Sequence, residues 1–151
     1  MPALTTIQIP TVRPFRPDDA AQFVNRDGFQ CTEAHMLAQS QSGPAFTAEL
    51  DGQPVAAAGI VILWPGLGLA WMVINETALL PPVWLTRTVK RFLADLVQRH
   101  KLHRLEAVAV QDSLRNQRWL EAMGFTREQH GVARRYLADA RAVIRYERIE
   151  V

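Results

Sequence analysis

Apolar residues along the chain fall into two rhythms, and the change between them organises the rest. Phe46, Ala48 and Leu50 alternate with Thr47 and Glu49, which predicts a half-buried strand over Ala45–Leu50. Asp51-Gly52 is a tight-turn pair, and the run from Val55 to Trp64 is almost continuously apolar, as expected of a central strand buried on both faces. Trp64-Pro65-Gly66-Leu67-Gly68 turns the chain back, and Trp71-Met72-Val73-Ile74 reads as a third strand of one meander. After the connector Asn75–Leu80 the period becomes helical. Leu85, Val89, Phe92, Leu93, Leu96 and Val97 share one face of a helix that opens at Pro81-Pro82, where proline is well placed, and ends near His100.

The flanking regions follow the same logic. Met1–Pro10 is an extended lead-in and Thr11–Phe15 a short strand. Arg16-Pro17-Asp18-Asp19 opens a helix ended by Gly28, and Thr32 caps a second helix to Gln39. Arg104–Val110 alternates again, with Leu105, Ala107 and Ala109 on one face. Asp112-Ser113 caps a helix over Leu114–Met123, Gly124 ends it in the left-handed region, and Phe125 enters a further strand. Val132–Leu137 and Ala142–Ile149 form a last hairpin around Ala138-Asp139-Ala140. The order β-α-α-β-β-β-α-β-α-β-β predicts an α/β fold with one mixed sheet and a single domain over residues 1–151.

Composition narrows the chemistry. At 151 residues and 48% hydrophobic content the chain can bury a full core. A net charge of +2 is not a nucleic-acid-binding balance, and the basic runs Arg99–Arg104 and Arg134-Arg135 lack interleaved aromatics, so both read as solvated surface. Cys31 is alone, which excludes an internal disulfide and fits a reducing compartment. No charged leader with an apolar core opens the chain, and its most apolar run is broken by Pro65, Gly66 and Gly68; the expectation is a cytoplasmic protein without a membrane span. His100 and His103 have no third ligand at a useful spacing, so no metal is expected. Ser113 lacks a nucleophile elbow, and no glycine-rich phosphate loop is present. The one irregularity is charge. Arg87, Lys90 and Arg91 occupy the first half of the long helix, whose dipole prefers anions there, and no acid follows until Asp95. A helix start loaded in this way is a candidate anion site, with Trp84 beside it.

Several segments together are similar to the GNAT superfamily, the acetyl-CoA-dependent N-acyltransferases. Ser113-Leu-Arg-Asn116-Gln-Arg-Trp119-Leu120-Glu-Ala-Met-Gly124-Phe125 resembles the family's penultimate-helix signature. Arg13-Pro-Phe-Arg-Pro17-Asp18-Asp19 resembles its first strand and turn, and Phe46–Ile74 its meander. Ala70-Trp71, Thr86-Arg87 with Lys90, Arg118-Trp119-Leu120 and the ending Arg135-Tyr136 … Tyr146-Glu-Arg148 resemble a small branch in tailed bacteriophages that includes internal virion proteins of podoviruses. The resemblance implies acetyl-CoA as cofactor, bound along Met72, Val73 and Ile74, at the helix start with Val83, Trp84, Thr86 and Arg87, and beside Ser113 and Asn116. It implies an amine acceptor, either a small molecule or a protein, and a base and acid drawn from Glu76, Glu49 and Tyr136. It also implies a location in the host cytoplasm or in the virion, with phage structural proteins as partners.

Two departures divide the functional reading. The family's glycine-bearing phosphate loop falls at Thr77-Ala-Leu-Leu-Pro-Pro-Val83, which has no glycine and loses two amides to proline. Leu120 stands where family members often place a tyrosine, four residues before Gly124. Two readings stay open: an active N-acyltransferase with a degenerate CoA loop, or an inactive fold reused as a virion, assembly or protein-interaction module. The unpaired edge of the last hairpin gives homodimerisation a mechanism.

Overall fold

The computed structural model describes residues 8–23, 32–75 and 80–150. Strand β1 spans Thr11–Pro14 and is followed by a 3-10 helix, Pro17–Phe23. Then come α1 (Glu33–Gln41), β2 (Ala45–Leu50), β3 (Gln53–Trp64), β4 (Leu67–Ile74), α2 (Pro82–Arg99), β5 (Arg104–Val110), α3 (Leu114–Ala122), β6 (Thr126–Ala133) and β7 (Val143–Ile149). They form one mixed seven-stranded sheet in the order β1-β2-β3-β4-β5-β7-β6. All pairs are antiparallel except β4 with β5. Among the described residues no helix is long and apolar enough to cross a membrane.

Each face of the sheet has its own core. Leu93 and Leu96 of α2, with Met123 and Phe125 after α3, pack on Ile60, Leu105, Ala107, Ala109, Ile144 and Tyr146. The Phe46 and Phe92 rings meet at 4.8 Å between centroids, which ties α2 to β2. On the other face Ala20, Phe23 and Met36 cover Ala57, with Phe15, Trp71 and Val73 packed beside them. The predicted alternation of β5 holds: its buried residues are Leu105, Ala107 and Ala109.

Turn chemistry sets the registers. Asp51 and Gly52 both take positive φ, as the β2–β3 hairpin requires. Pro65-Gly66 makes the β3–β4 turn, and β4 therefore begins at Leu67, earlier than the expected Trp71. Gly66 combines a φ of 93° with a packed neighbour, since a Cβ there would stand 2.0 Å from the His103 ring. Gly124 ends α3 at φ 91°, in the left-handed position expected.

Two elements differ from expectation. The first helix is a 3-10 helix ending at Phe23; the expected continuation to Gly28, and Cys31 beyond it, lie outside the described residues. The last hairpin is built from Thr126–Ala133 and Val143–Ile149, so Arg134–Leu137 belong to its loop instead of a strand. Positive φ at Arg135 and Ala140 turns the chain there, and the Tyr136 and Leu137 amides donate to the Arg141 carbonyl at 3.2 and 3.1 Å. β6 also slips register between Arg127 and Val132, with His130 at φ 57°. Such a bulge twists an edge strand away from further pairing.

Candidate functional site

The site begins where the sheet opens. β4 pairs with β3 along its length, from Trp64↔Leu67 to Ala56↔Ile74. It pairs with β5 only at Leu67–Leu69 against Arg104–Glu106. Beyond that point β5 stays with β7 through Val110↔Val143 while β4 follows β3, so the two central strands splay apart. The cause is the separate clamping of the halves. Trp71 and Val73 are held by the core beneath α1 and the 3-10 helix, whereas Ala107 and Ala109 belong to the cluster that packs with α2 and with Trp119 and Leu120 of α3. Alternate backbone groups of Ala70–Ile74 consequently face the gap and not a neighbouring strand. Main-chain groups in that position are strong ligand donors and acceptors. Met72, Val73 and Ile74 all lie on this stretch.

β4 and β5 are parallel, and the next described element after each is a helix. The starts of α2 and α3 therefore flank the mouth of the gap. Pro81 is the N-cap residue of α2, makes no side-chain cap, and is followed by Pro82. Leu85 N–H donates to the Pro81 carbonyl at 3.0 Å, which leaves Val83 and Trp84 as the residues that carry the first two helix amides. The first turn contains no acid, and Arg87 is exposed with no ion-pair partner among the described residues. Glu76 and Thr77–Leu79 lie outside the described residues, so only Leu80–Val83 of the expected phosphate loop is in view.

On α3, Ser113 Oγ accepts from the Asn116 amide at 3.4 Å, a conventional N-cap, and Asn116 is exposed on the first turn. Gln117 Nε2 donates to the Val110 and Gln111 carbonyls at 3.3 and 2.7 Å, which anchors the helix to the end of β5. The indole Nε1 of Trp119 donates to Thr86 Oγ1 at 3.3 Å and so bridges α3 to the first turns of α2. Leu120 packs on the main core, as its position on the inner face of α3 dictates.

The structure does not bring the proton-transfer candidates together. Glu49 lies on β2, ion-paired with Arg13, and three strand spacings separate it from β5, about 14 Å or more. Arg13 also grips Asp19 through two 2.7 Å hydrogen bonds. Burial by itself would raise the Asp19 carboxyl. Donation from Arg13, from the Arg16 amide and from Thr47 Oγ1 outweighs it and holds the carboxyl below its ordinary range. This cluster is a structural joint. Tyr136, 52% exposed, lies elsewhere, at a depression of about 180 Å³ that it lines with Leu69, Glu106, Glu128 and Arg145. From β5 that depression takes Glu106 and Val108, on the strand face opposite Leu105, together with Ala107. Arg104 is hydrogen-bonded to two of its carboxylates, Glu106 at 2.9 Å and Glu128 at 2.8 Å, and paired with Glu147; Glu106 and Glu147 hold its guanidinium pKa above the usual value.

Sequence reasoning did not single out Glu106, Glu128 or the Thr86–Trp119 bridge. Alternation placed Glu106 on the polar face of β5, but its partners come from β6 and β7, and nothing local marks them. Among the described residues no three His, Cys, Asp or Glu side chains converge as metal ligands would.

No family model matches the sequence, and no curated protein matches it. Solved structures match the fold along nearly the whole chain. Ard1 from Thermoplasma volcanium superposes with a TM-score of 0.80 at 13% identity, covering 95% of this chain and 99% of that one. The IAA acetyltransferase from Bacillus cereus ATCC 14579 gives 0.74 at 12%, covering 93% and 99%. AAC(6')-Ib in complex with paromomycin and acetyl-CoA gives 0.66 at 20%, covering 95% and 94%. The chain therefore has the GNAT acyltransferase fold.

Proposed function

We propose that this protein is an acyl-CoA-dependent N-acyltransferase that passes an acetyl group to an amine. The observation that carries the reading is the splay itself: three paired residues between β4 and β5, then a gap bordered by unpaired β4 backbone, with two helix starts at its mouth. The similar AAC(6')-Ib structure holds acetyl-CoA. The residues here fit such a cofactor. Alternate groups of Met72, Val73 and Ile74 would pair with its amide-bearing arm. The Val83 and Trp84 amides, Thr86 and Arg87 would meet its phosphates, with Ser113 and Asn116 across the mouth. Bound acetyl-CoA supplies an acyl thioester whose carbonyl an amine can attack. The acceptor enters from the opposite face of β5, where Tyr136 and Glu106 border one depression. A base there would take the proton of the attacking amine, and the hydroxyl of Tyr136 would return one to the leaving thiolate. Glu76, just beyond β4, is the other carboxylate proposed for the base. Glu49 is the weakest of the three notional acid–base groups, because Arg13 occupies it.

Calorimetry with acetyl-CoA tests the reading. Binding with a Kd on the order of micromolar, weakened by about tenfold in Arg87→Ala, supports it. An absence of heat at millimolar acetyl-CoA would sink it.

A second reading has its own support. The Thr86–Trp119 bridge joins the two helices across the gap, and Pro81-Pro82 removes two donors from the helix start. Both suit a fold kept as a protein-interaction module. The phage-like sequence segments point that module toward a virion or its assembly in the host cytoplasm. Self-pairing through the β6 edge is the less supported form of partnership, because the bulge at His130 interrupts that edge.

A further inference from the structure

We infer that the depression beside β5 selects a free α-amino acid with an apolar side chain as the acceptor, an inference that rests on the acyltransferase reading above. Glu106 and Arg145 supply its two poles. In the β5–β7 register Glu106 stands opposite Glu147, and Arg145 opposite Val108. The two are therefore diagonal neighbours on one face of the sheet, roughly 7–8 Å apart at the backbone. Both line the depression, yet they form no ion pair with each other. Each is held by a different partner. Glu106 Oε1 accepts from Arg104 Nε at 2.9 Å, and its Oε2 has no partner among the described residues. Arg145 Nη2 stands 3.0 Å from Glu128 Oε2, while the other oxygen of Glu128 accepts from Arg104 at 2.8 Å. The Arg145 guanidinium makes no other polar contact among the described residues, and its side chain is 51% exposed. One carboxylate oxygen and one guanidinium edge thus remain open at a short separation. An ammonium fits the first and a carboxylate fits the second. Leu63, Leu69, Val108 and Tyr136 add apolar lining. The volume of about 180 Å³ lies below the roughly 300–1,000 Å³ of pockets that enclose drug-sized ligands, so the body it takes is the size of one side chain. Arg145 also excludes: a diamine would bring its second ammonium against the guanidinium, and like charges there reject it.

Leucine serves as the probe, titrated calorimetrically into the full chain with and without coenzyme A. Three analogues each change one feature. 3-Methylbutylamine lacks the carboxylate, 4-methylpentanoate lacks the ammonium, and leucinamide carries the amide that a peptide N-terminus would present. The expected result is saturable leucine binding at least about tenfold tighter than that of any analogue. Arg145→Gln should abolish that preference and Arg145→Lys should restore part of it, with unchanged melting of both variants. Acetyl transfer, followed as thiol release from acetyl-CoA, separates this inference from the reading beneath it. Transfer to 3-methylbutylamine with none to leucine leaves the acyltransferase standing and overturns the inference. Charge-dependent leucine binding without acetyl-CoA binding leaves the amino-acid site standing while the proposed activity falls. Leucinamide binding equal to that of leucine assigns the depression to a peptide N-terminus and overturns the inference. So does an absence of saturable leucine binding, or a leucine preference unchanged in Arg145→Gln.

Discussion

Arg13 and Arg87 make an instructive pair. Each lies near a helix start on its own side of the sheet, but their surroundings are opposite. Arg13 is mostly buried, shares two hydrogen bonds with Asp19 and one with Glu49, and links β1 and β2 to the 3-10 helix. Arg87 is exposed in the second turn of α2, just behind a first turn that carries the positive end of the helix dipole and no acid. A cation whose charge is met inside the fold contributes to the fold. One left unmet, in a position electrostatics disfavours, costs stability unless something else neutralises it. The contrast separates structural charge from candidate binding charge without reference to any relative.

The largest break in that comparison should come from Asp19→Asn. Removing one partner of a buried pair leaves the Arg13 guanidinium and Thr47 hydroxyl short of an acceptor, so urea denaturation should show a loss of about 3 kcal/mol. Acid reads the same joint. The folded carboxyl of Asp19 lies below its ordinary unfolded-chain value, so the protein gains stability from it at all pH above that value. That contribution should disappear as pH falls through the depressed value, and an acid titration of Asp19→Asn should lack this component. Arg87→Ala should behave in the opposite sense. Acetyl-CoA binding should weaken by about tenfold, or 1.4 kcal/mol, while unfolding free energy stays within about 0.5 kcal/mol or rises slightly as the helix start loses a misplaced charge. The mildest test is Trp119→Phe. It deletes the hydrogen bond to Thr86 while keeping the ring, so it should cost about 1 kcal/mol of stability. If the bridge narrows the cofactor's path, acetyl-CoA binding to Trp119→Phe should be equal to or tighter than that of the unaltered protein; weaker binding would make Trp119 part of the site.

Much of the architecture was legible because it is local. Alternation in Ala45–Leu50 and Arg104–Val110, the Asp51-Gly52 turn, the apolar stripe of α2 and the Ser113 and Gly124 caps each depend on residues within a few positions of one another. The misplaced charge at Arg87 was legible for the same reason. The errors were local too. The sequence reading extended the last hairpin's first strand over Val132–Leu137, but positive φ at Arg135 turns Arg134–Leu137 into a loop. The opening segment Pro17–Phe23 takes a 3-10 helix where a regular helix was expected.

The sequence by itself determined the order and type of the elements, the meander, and a helix start short of negative charge, since periodicity, turn chemistry and dipole preference act over a few residues. Only the tertiary structure decided that β4 and β5 part after three pairs, that Glu49 is occupied by Arg13, that Glu106 and Tyr136 meet at one depression, and that Trp119 reaches Thr86. These depend on where separate halves of a twisted sheet are clamped by different helices. That is a property of packing between residues distant in the chain, and no short stretch of sequence carries it.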